Sequence, residues 1–219
     1  FGYYAIGRHP FPSTPGKQYA YQKAREMHLA ASRYFDIPLE RVAIPFRGKE
    51  IVGHLRLPKK TPAPMVMHWG GIDNWKEERH IFAERFVKEG WGCFVLDSPG
   101  TGECPMLASP DAHQVHVTAL DYLSQRSEID PDRIAVVGAS FGGYWATKLA
   151  HVEPTRLRAV VNWGGGIHYF FQPEWQERSR HADSYLFDLI EARANLFGKK
   201  TMEELNQAMP ALSLRDQGW

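Results

Sequence analysis

The sequence is poor in cysteine. Cys93 and Cys104 are the only two in 219 residues, too few for a disulfide framework and without the spacing of a zinc site. That favours a reducing, cytoplasmic setting, although the first residue is Phe1 rather than Met, so an upstream targeting segment stays open. An excess of one charge is also missing. The 26 Lys and Arg residues against 25 Asp and Glu leave a net charge of +1, which excludes a strongly basic nucleic-acid binder and an acidic tail. No apolar run reaches the roughly 18 residues of a membrane span, and there are no internal repeats or low-complexity tracts.

What is present is ordinary globular material, 43% hydrophobic and 23% charged, enough for one large domain with a lid. Residues 1–17, rich in Gly, Pro and aromatics, read as an irregular lead-in. Ala20, Ala24, Met27, Ala31 and Tyr34 then recur at helical spacing. Arg41 to Phe46 and Ile51 to Leu57, separated by Arg47-Gly48-Lys49, predict an antiparallel hairpin.

Continuous apolar runs follow: Met65 to Trp69, Gly92 to Leu96, Ile134 to Val137 and Leu157 to Val161. Helical patterns separate them, the first opened by Asn74 and Glu77 as a capping box, the second marked by Val115, Ala119 and Tyr122, the third running from Gly143 through His151. Alternation of buried strands and helices predicts an α/β fold with a mostly parallel sheet covered on both faces. Beyond Gly166 only helical signals remain, in Tyr185, Leu189, Ala192 and Leu196 and in residues 199–209.

The most informative stretch is Val136-Val137-Gly138-Ala139-Ser140-Phe141-Gly142-Gly143-Tyr144, a G-x-S-x-G pattern where a strand meets a helix. A nucleophile on so sharp a turn has a strained backbone, and side chains two positions to either side would strike neighbouring main chain. With 19 Gly in the chain, composition alone produces the pattern about 0.07 times, so chance is a poor account. A serine that merely caps the helix is the plain alternative. A dinucleotide fingerprint fits worse, because G-x-G-x-x-G is absent.

These residues resemble the α/β-hydrolase superfamily. The leading helix, Leu55-Arg56-Leu57-Pro58, Gly71-Ile72-Asp73 with Lys76-Glu77-Glu78, the loop from Asp97 to Glu103, and Asn162-Trp163-Gly164-Gly165 narrow the likeness. They resemble the capped hydrolases related to 2,6-dihydroxypseudooxynicotine hydrolase, with the fungal polyketide-shortening hydrolases and the fermentation/respiration switch esterases. The resemblance implies an α/β-hydrolase core with helical cap elements and a serine hydrolase acting on an ester or on a carbon–carbon bond beside a ketone. Residues 1–38 would be a cap element, 39–166 the core and 167–219 a lid.

The resemblance further implies that Ser140 is acylated and that the N–H of Phe141 and that of Ile72, or alternatively Gly71, hold the oxyanion, at ~3 kcal/mol per donor. Glu174 is the nearest match to an acidic pocket residue, or else a solvated carboxylate in a first helical turn. Trp69, Trp163 and Glu174 are the candidate pocket residues; the aromatics near them, including Trp75, Tyr169, Phe170, Phe171 and Trp175, suit an apolar acyl group or glue the lid to the sheet. Asp73, Asp97 and Glu103 read as loop caps rather than metal ligands, and His68 as structural rather than a base.

A departure from the pattern concerns the triad. In this fold an acid and then a His follow the nucleophile, yet His151, His168 and His181 do not follow two further strands. Leu212 to Trp219 reads as the approach to the next strand, and the expectation is that the remaining strands, the acid and the base lie beyond residue 219. No cofactor or metal is required. The expected partner is a small-molecule ester or ketone substrate, without nucleic acid or membrane, and at most a second copy in a homodimer. The rivals are a prolyl-oligopeptidase-like peptidase and a noncatalytic binding or regulatory protein on the same scaffold.

Overall fold

A computed structural model describes residues 1–180 and 185–219. The hairpin forms as its turn chemistry requires: β1 (Glu40–Phe46) and β2 (Lys49–Arg56) pair antiparallel across Arg47 and Gly48, both at positive φ. β3 (Ala63–Trp69), β4 (Gly92–Leu96), β5 (Ile129–Ala139) and β6 (Ala159–Trp163) complete one sheet in the order β1-β2-β4-β3-β5-β6. β3 pairs parallel with β4 and β5, and β5 with β6, while β2 meets β4 antiparallel. Crossovers through α3 (His80–Lys88), α4 (Gln114–Ser124) and α5 (Phe141–Val152) cover both faces. The central strands are buried on both sides, so Met65, Met67, Phe94, Leu96, Ile134 and Val136 form the core.

The hairpin, the succession of strands and helices along the chain and the mostly parallel pairing follow the reading from sequence. Four local details differ. Residues 1–17 contain a helix, α1 (Gly2–Arg8). It is held by tertiary contacts: buried Arg8 donates to the carbonyls of Pro10 and Asp73 at 2.8 Å each, pairs with Glu78 and lies 4.0 Å over the Trp75 ring. The next helix, α2 (Pro15–Ser32), has Thr14 as its N-cap, but its buried stripe is Ala20, Tyr21, Ala24, His28 and Ser32, leaving Met27 and Tyr34 outward. Polar His28 belongs to the buried face because it stacks on His54 of β2.

The capping interaction before α3 sits one residue later than the Asn74/Glu77 spacing predicted. Glu78 accepts the N–H of Trp75 at 2.9 Å and opens a 3-10 turn, Lys76–Arg79. β5 also begins earlier than its apolar run. Ile129 pairs with Ala63 before a register shift, so Asp130-Pro131-Asp132 lies within the strand.

After β6 come α6 (Pro173–Ser179), α7 (Leu189–Leu196) and α8 (Met202–Ala208). α8 has a capping box between Thr201 and Glu204. A 3-10 turn, Met209–Leu212, and further turns over 214–218 end the described chain: the Trp219 N–H donates to the Leu214 carbonyl at 3.0 Å, and the Leu214 N–H to that of Ile167 at 2.9 Å.

Candidate active site

Ser140 stands between β5 and α5 with φ 55° and ψ −129°, a conformation that costs a non-glycine residue on the order of 1–3 kcal/mol. The surroundings enforce it. A Cβ on Gly138 would lie 2.0 Å from the Gly142 carbonyl oxygen, and one on Gly142 would lie 2.4 Å from that of Gly70. The Ser140 N–H donates to the Trp163 carbonyl and its own carbonyl accepts from Gly143, both at 2.8 Å.

The loop after β3 abuts this turn. A Cβ on Gly71 would be 2.8 Å from Ser140 Cβ and 3.0 Å from its Oγ. Ser98 Oγ donates to the Gly70 carbonyl at 2.7 Å, and Trp75 Nε1 to the Ile72 carbonyl at 3.1 Å, which fix the loop on both sides. On the other flank the Asn162 amide closes the loop after β6, donating to Gly165 O and Thr147 Oγ1 at 2.9 Å while its oxygen accepts from Gly165 N–H at 2.6 Å. The Asn-Trp-Gly-Gly sequence is therefore a clamp on the start of α5.

Ser140 is exposed and lines a cavity of about 570 Å³ with Ile72 and Phe141. As the first residue of α5, Phe141 has an N–H with no partner inside the helix. Neither it nor the N–H of Gly71 or Ile72 has a hydrogen-bond partner among the described residues. The opposite wall comes from the segment after β6: Phe170, Trp175, Arg178, Tyr185, Leu189 and Arg193.

The candidate pocket residues lie elsewhere. Trp69 is fully buried beneath the turn, its indole N–H donating to Gly142 O at 2.7 Å, so it props the elbow from within the core. Trp163 is 59% exposed on β6, and only its carbonyl touches Ser140. Glu174 lies in the first turn of α6 and lines a neighbouring cavity with His168, Gln172 and Arg215.

Among the described residues no histidine or carboxylate lines the Ser140 cavity. His68 Nδ1 lies 2.8 Å from the Val137 carbonyl, its ring stacks on Phe82, and burial pushes it down to about 3, so it is neutral and structural. His151 packs on Trp219, and His168 Nδ1 lies 2.6 Å from Ser213 Oγ. His181 lies outside the described residues.

Two arrangements are not foreseen from sequence. Buried Lys76 places its Nζ 2.8 Å from each of Asp97, Glu77 and Glu103. Burial opposes its charge, but the carboxylates around it hold its pKa well above the usual lysine value. Asp97 and Glu103 are thus ion-paired loop anchors, and Asp73 lies 3.4 Å from His9. The second group is the arginine pair on the cavity wall. Arg193 interrupts the otherwise apolar face of α7, which is the one signal that could have revealed it.

Comparison with known proteins bears on the whole arrangement. Esterase FrsA from Yersinia pestis (strain Pestoides F) and from Yersinia pseudotuberculosis (strain YPIII) are each 27% identical over 193 residues, covering 86% of this chain and 46% of theirs. The chain therefore spans about half the length of the curated relatives it matches. Among solved structures, 2,6-dihydroxy-pseudo-oxynicotine hydrolase aligns with a TM-score of 0.80 at 26% identity over 91% of this chain and 55% of that one. AbyA5 shares the fold with a TM-score of 0.84 at 23% identity, over 97% and 61%. The family matched over residues 3–219 is that of FrsA-like esterases. By that match, and by its parallel sheet with a serine at the strained β5–α5 junction, the chain belongs to the FrsA-like esterase family and is built on the α/β-hydrolase fold.

Proposed function

We propose that the protein is a serine hydrolase that cleaves a carboxylic ester, or a carbon–carbon bond next to a ketone, through an acyl-enzyme on Ser140. The observation that carries this reading is the exposed serine held at positive φ on the floor of a cavity, beside backbone N–H groups without partners among the described residues. Ser140 Oγ attacks the carbonyl carbon, and the negative charge on the carbonyl oxygen is received by the N–H of Phe141 and that of Ile72, with Gly71 as the alternative second donor. Collapse expels the alcohol or the carbanion equivalent, and water then releases the acid. These donors act without reorganisation because steric contact, not flexible side chains, fixes them.

A hydroxyl needs an imidazole to take its proton. The described histidines stand away from the cavity and the curated relatives are about twice as long; in this proposal the base and its acid come from polypeptide outside residues 1–219. The segment after β6 acts as a lid that limits water access. Two free thiols, Cys93 buried and Cys104 partly buried, both pushed up to about 12 by burial, support the proposal of a reducing, cytoplasmic setting.

The cavity's lack of a histidine or carboxylate among the described residues also favours a second reading, a noncatalytic binding protein on a hydrolase scaffold. A fluorophosphonate probe on the full-length protein separates the two. Labelling that Ser140→Ala abolishes, with turnover of short 4-nitrophenyl esters and none of peptides, supports the esterase. Folded protein that neither labels nor turns over any ester supports the binder, and peptide cleavage supports the peptidase.

A further inference from the structure

The wall of the Ser140 cavity contains two cations, Arg178 and Arg193, and no carboxylate among the described residues lines it. Arg193 is the more informative. It is 4% exposed, yet no carboxylate among the described residues lies within ion-pair distance of it. Its Nη1 is fully used, donating to Gln176 Oε1 at 2.7 Å and Ser179 Oγ at 2.5 Å, and its guanidinium carbon lies 4.7 Å over the Phe170 ring. Those contacts orient the group. Among the described residues neither Nε nor Nη2 has a partner. Nε is closed off from solvent, so Nη2 is the nitrogen that a carboxylate can take in a charge-assisted hydrogen bond.

The neighbouring acids among the described residues are committed elsewhere. Glu177 pairs with Arg180, Asp188 caps α7 by accepting the Glu191 N–H at 2.9 Å, and Glu174 faces the adjoining cavity. Arg178 has no ion pair among the described residues, and it lines both cavities. A buried cation without an anion is costly to keep. Here burial pushes the guanidinium down to about 10, still charged at neutral pH.

We propose that the Ser140 cavity accepts substrates that carry a carboxylate on the acyl side, with Arg193 binding that carboxylate through Nη2 and Arg178 adding charge at the cavity wall. This rests on the acylation of Ser140 only for its chemistry; the anion site itself is a binding claim. Arg193 is a specificity residue, since it meets the remote end of the substrate rather than the reacting carbonyl.

The test uses the full-length protein. Mono-4-nitrophenyl esters of the dicarboxylic acids from succinate to suberate are compared with 4-nitrophenyl esters of the unsubstituted acids of equal carbon number. At one or more lengths kcat/KM should favour the charged ester tenfold or more, through KM. Arg193→Gln should cut the charged-to-neutral ratio at least tenfold and Arg193→Lys should restore part of it, a pattern that a merely structural role would not produce. Because Arg193 also ties α6 to α7, Arg178→Gln is the second variant, expected to lower the same ratio two- to fivefold. Calorimetric binding of glutarate that persists in Ser140→Ala and disappears in Arg193→Gln supports the anion site even if no ester is cleaved, in which case the serine-hydrolase reading fails alone. Neutral esters preferred at every length, or glutarate binding unchanged in Arg193→Gln, overturns the proposal while leaving Ser140 chemistry intact.

Discussion

Two turns leave the carboxyl ends of the parallel strands on either side of β3, and they are held in opposite ways. The turn after β5 carries Ser140 and contains no ionisable group; its shape is set by close backbone approach at Gly138 and Gly142 and by the Trp69 indole beneath. The turn after β4 is a charged assembly, in which Asp97 accepts the Lys76 N–H and the Glu103 N–H at 2.9 Å each while Lys76 Nζ bridges three carboxylates. Arg25 and Arg41 balance Glu103 from outside. Steric exclusion suits the first turn under the proposed mechanism, in which a buried anion beside Ser140 would compete with the developing oxyanion for the same donors. Ion pairing suits the second, which must gather α2, the 3-10 turn and the loop after β4 around one point.

The contrast can be broken at either end. The largest effect is chemical: Ser140→Ala should lower ester turnover by about 10³-fold or more while leaving the thermal midpoint nearly unchanged, since alanine meets the same positive-φ strain. An unaltered rate would remove Ser140 from the reaction. Next comes Lys76→Met, which leaves Asp97, Glu77 and Glu103 facing one another without their shared cation. A loss of about 3–5 kcal/mol in urea unfolding is expected, and less than 1 kcal/mol would mean that the cluster is hydrated rather than a buried anchor.

Gly142→Ala attacks the first turn by bulk alone, its Cβ placed 2.4 Å from a backbone oxygen. The expected cost is about 3 kcal/mol, together with loss of fluorophosphonate labelling as the elbow shifts. Wild-type labelling with unchanged stability would show that the turn tolerates what the glycines are argued to exclude.

Near neutral pH the smallest effect, and one that grows on acidification, concerns the uncharged interior below the first turn. His116 packs 4.2 Å from Trp69, and burial pushes it down to about 3. The unfolded state, with its ordinary value of 6.5, binds the additional proton between about pH 3 and 6.5. Stability therefore falls as pH drops through that window, by about 1.4 kcal/mol per pH unit for this one group. His116→Phe should flatten the pH dependence of urea midpoints there by about that slope; an unchanged slope would show that His116 does not drive it.

Much of the fold was readable because the strands are continuous apolar runs and the hairpin has its own turn chemistry, so period and punctuation suffice. The elbow was readable for a similar reason: its constraints act between residues two to four apart. The second turn was not. Lys76 meets Asp97 across 21 positions, and no local pattern distinguishes a lysine at the centre of three carboxylates from one in solvent. The helical face of α2 shifted for the same cause, since partners on β2 chose which residues to bury. Trp69, Trp163 and Glu174 were grouped by chain proximity to the motifs, whereas strand alternation turns Trp69 inward and leaves Trp163 on the open side of β6.

The sequence by itself determined the layered α/β plan and the strained serine at position 140, because both depend on steric and hydrophobic rules that act over a few residues. The tertiary structure decided which side chains face that serine. Arg178 and Arg193 reach the cavity from α6 and α7, and only the packing of those helices over the sheet brings a guanidinium without an ion pair among the described residues and the Ser140 hydroxyl into one space.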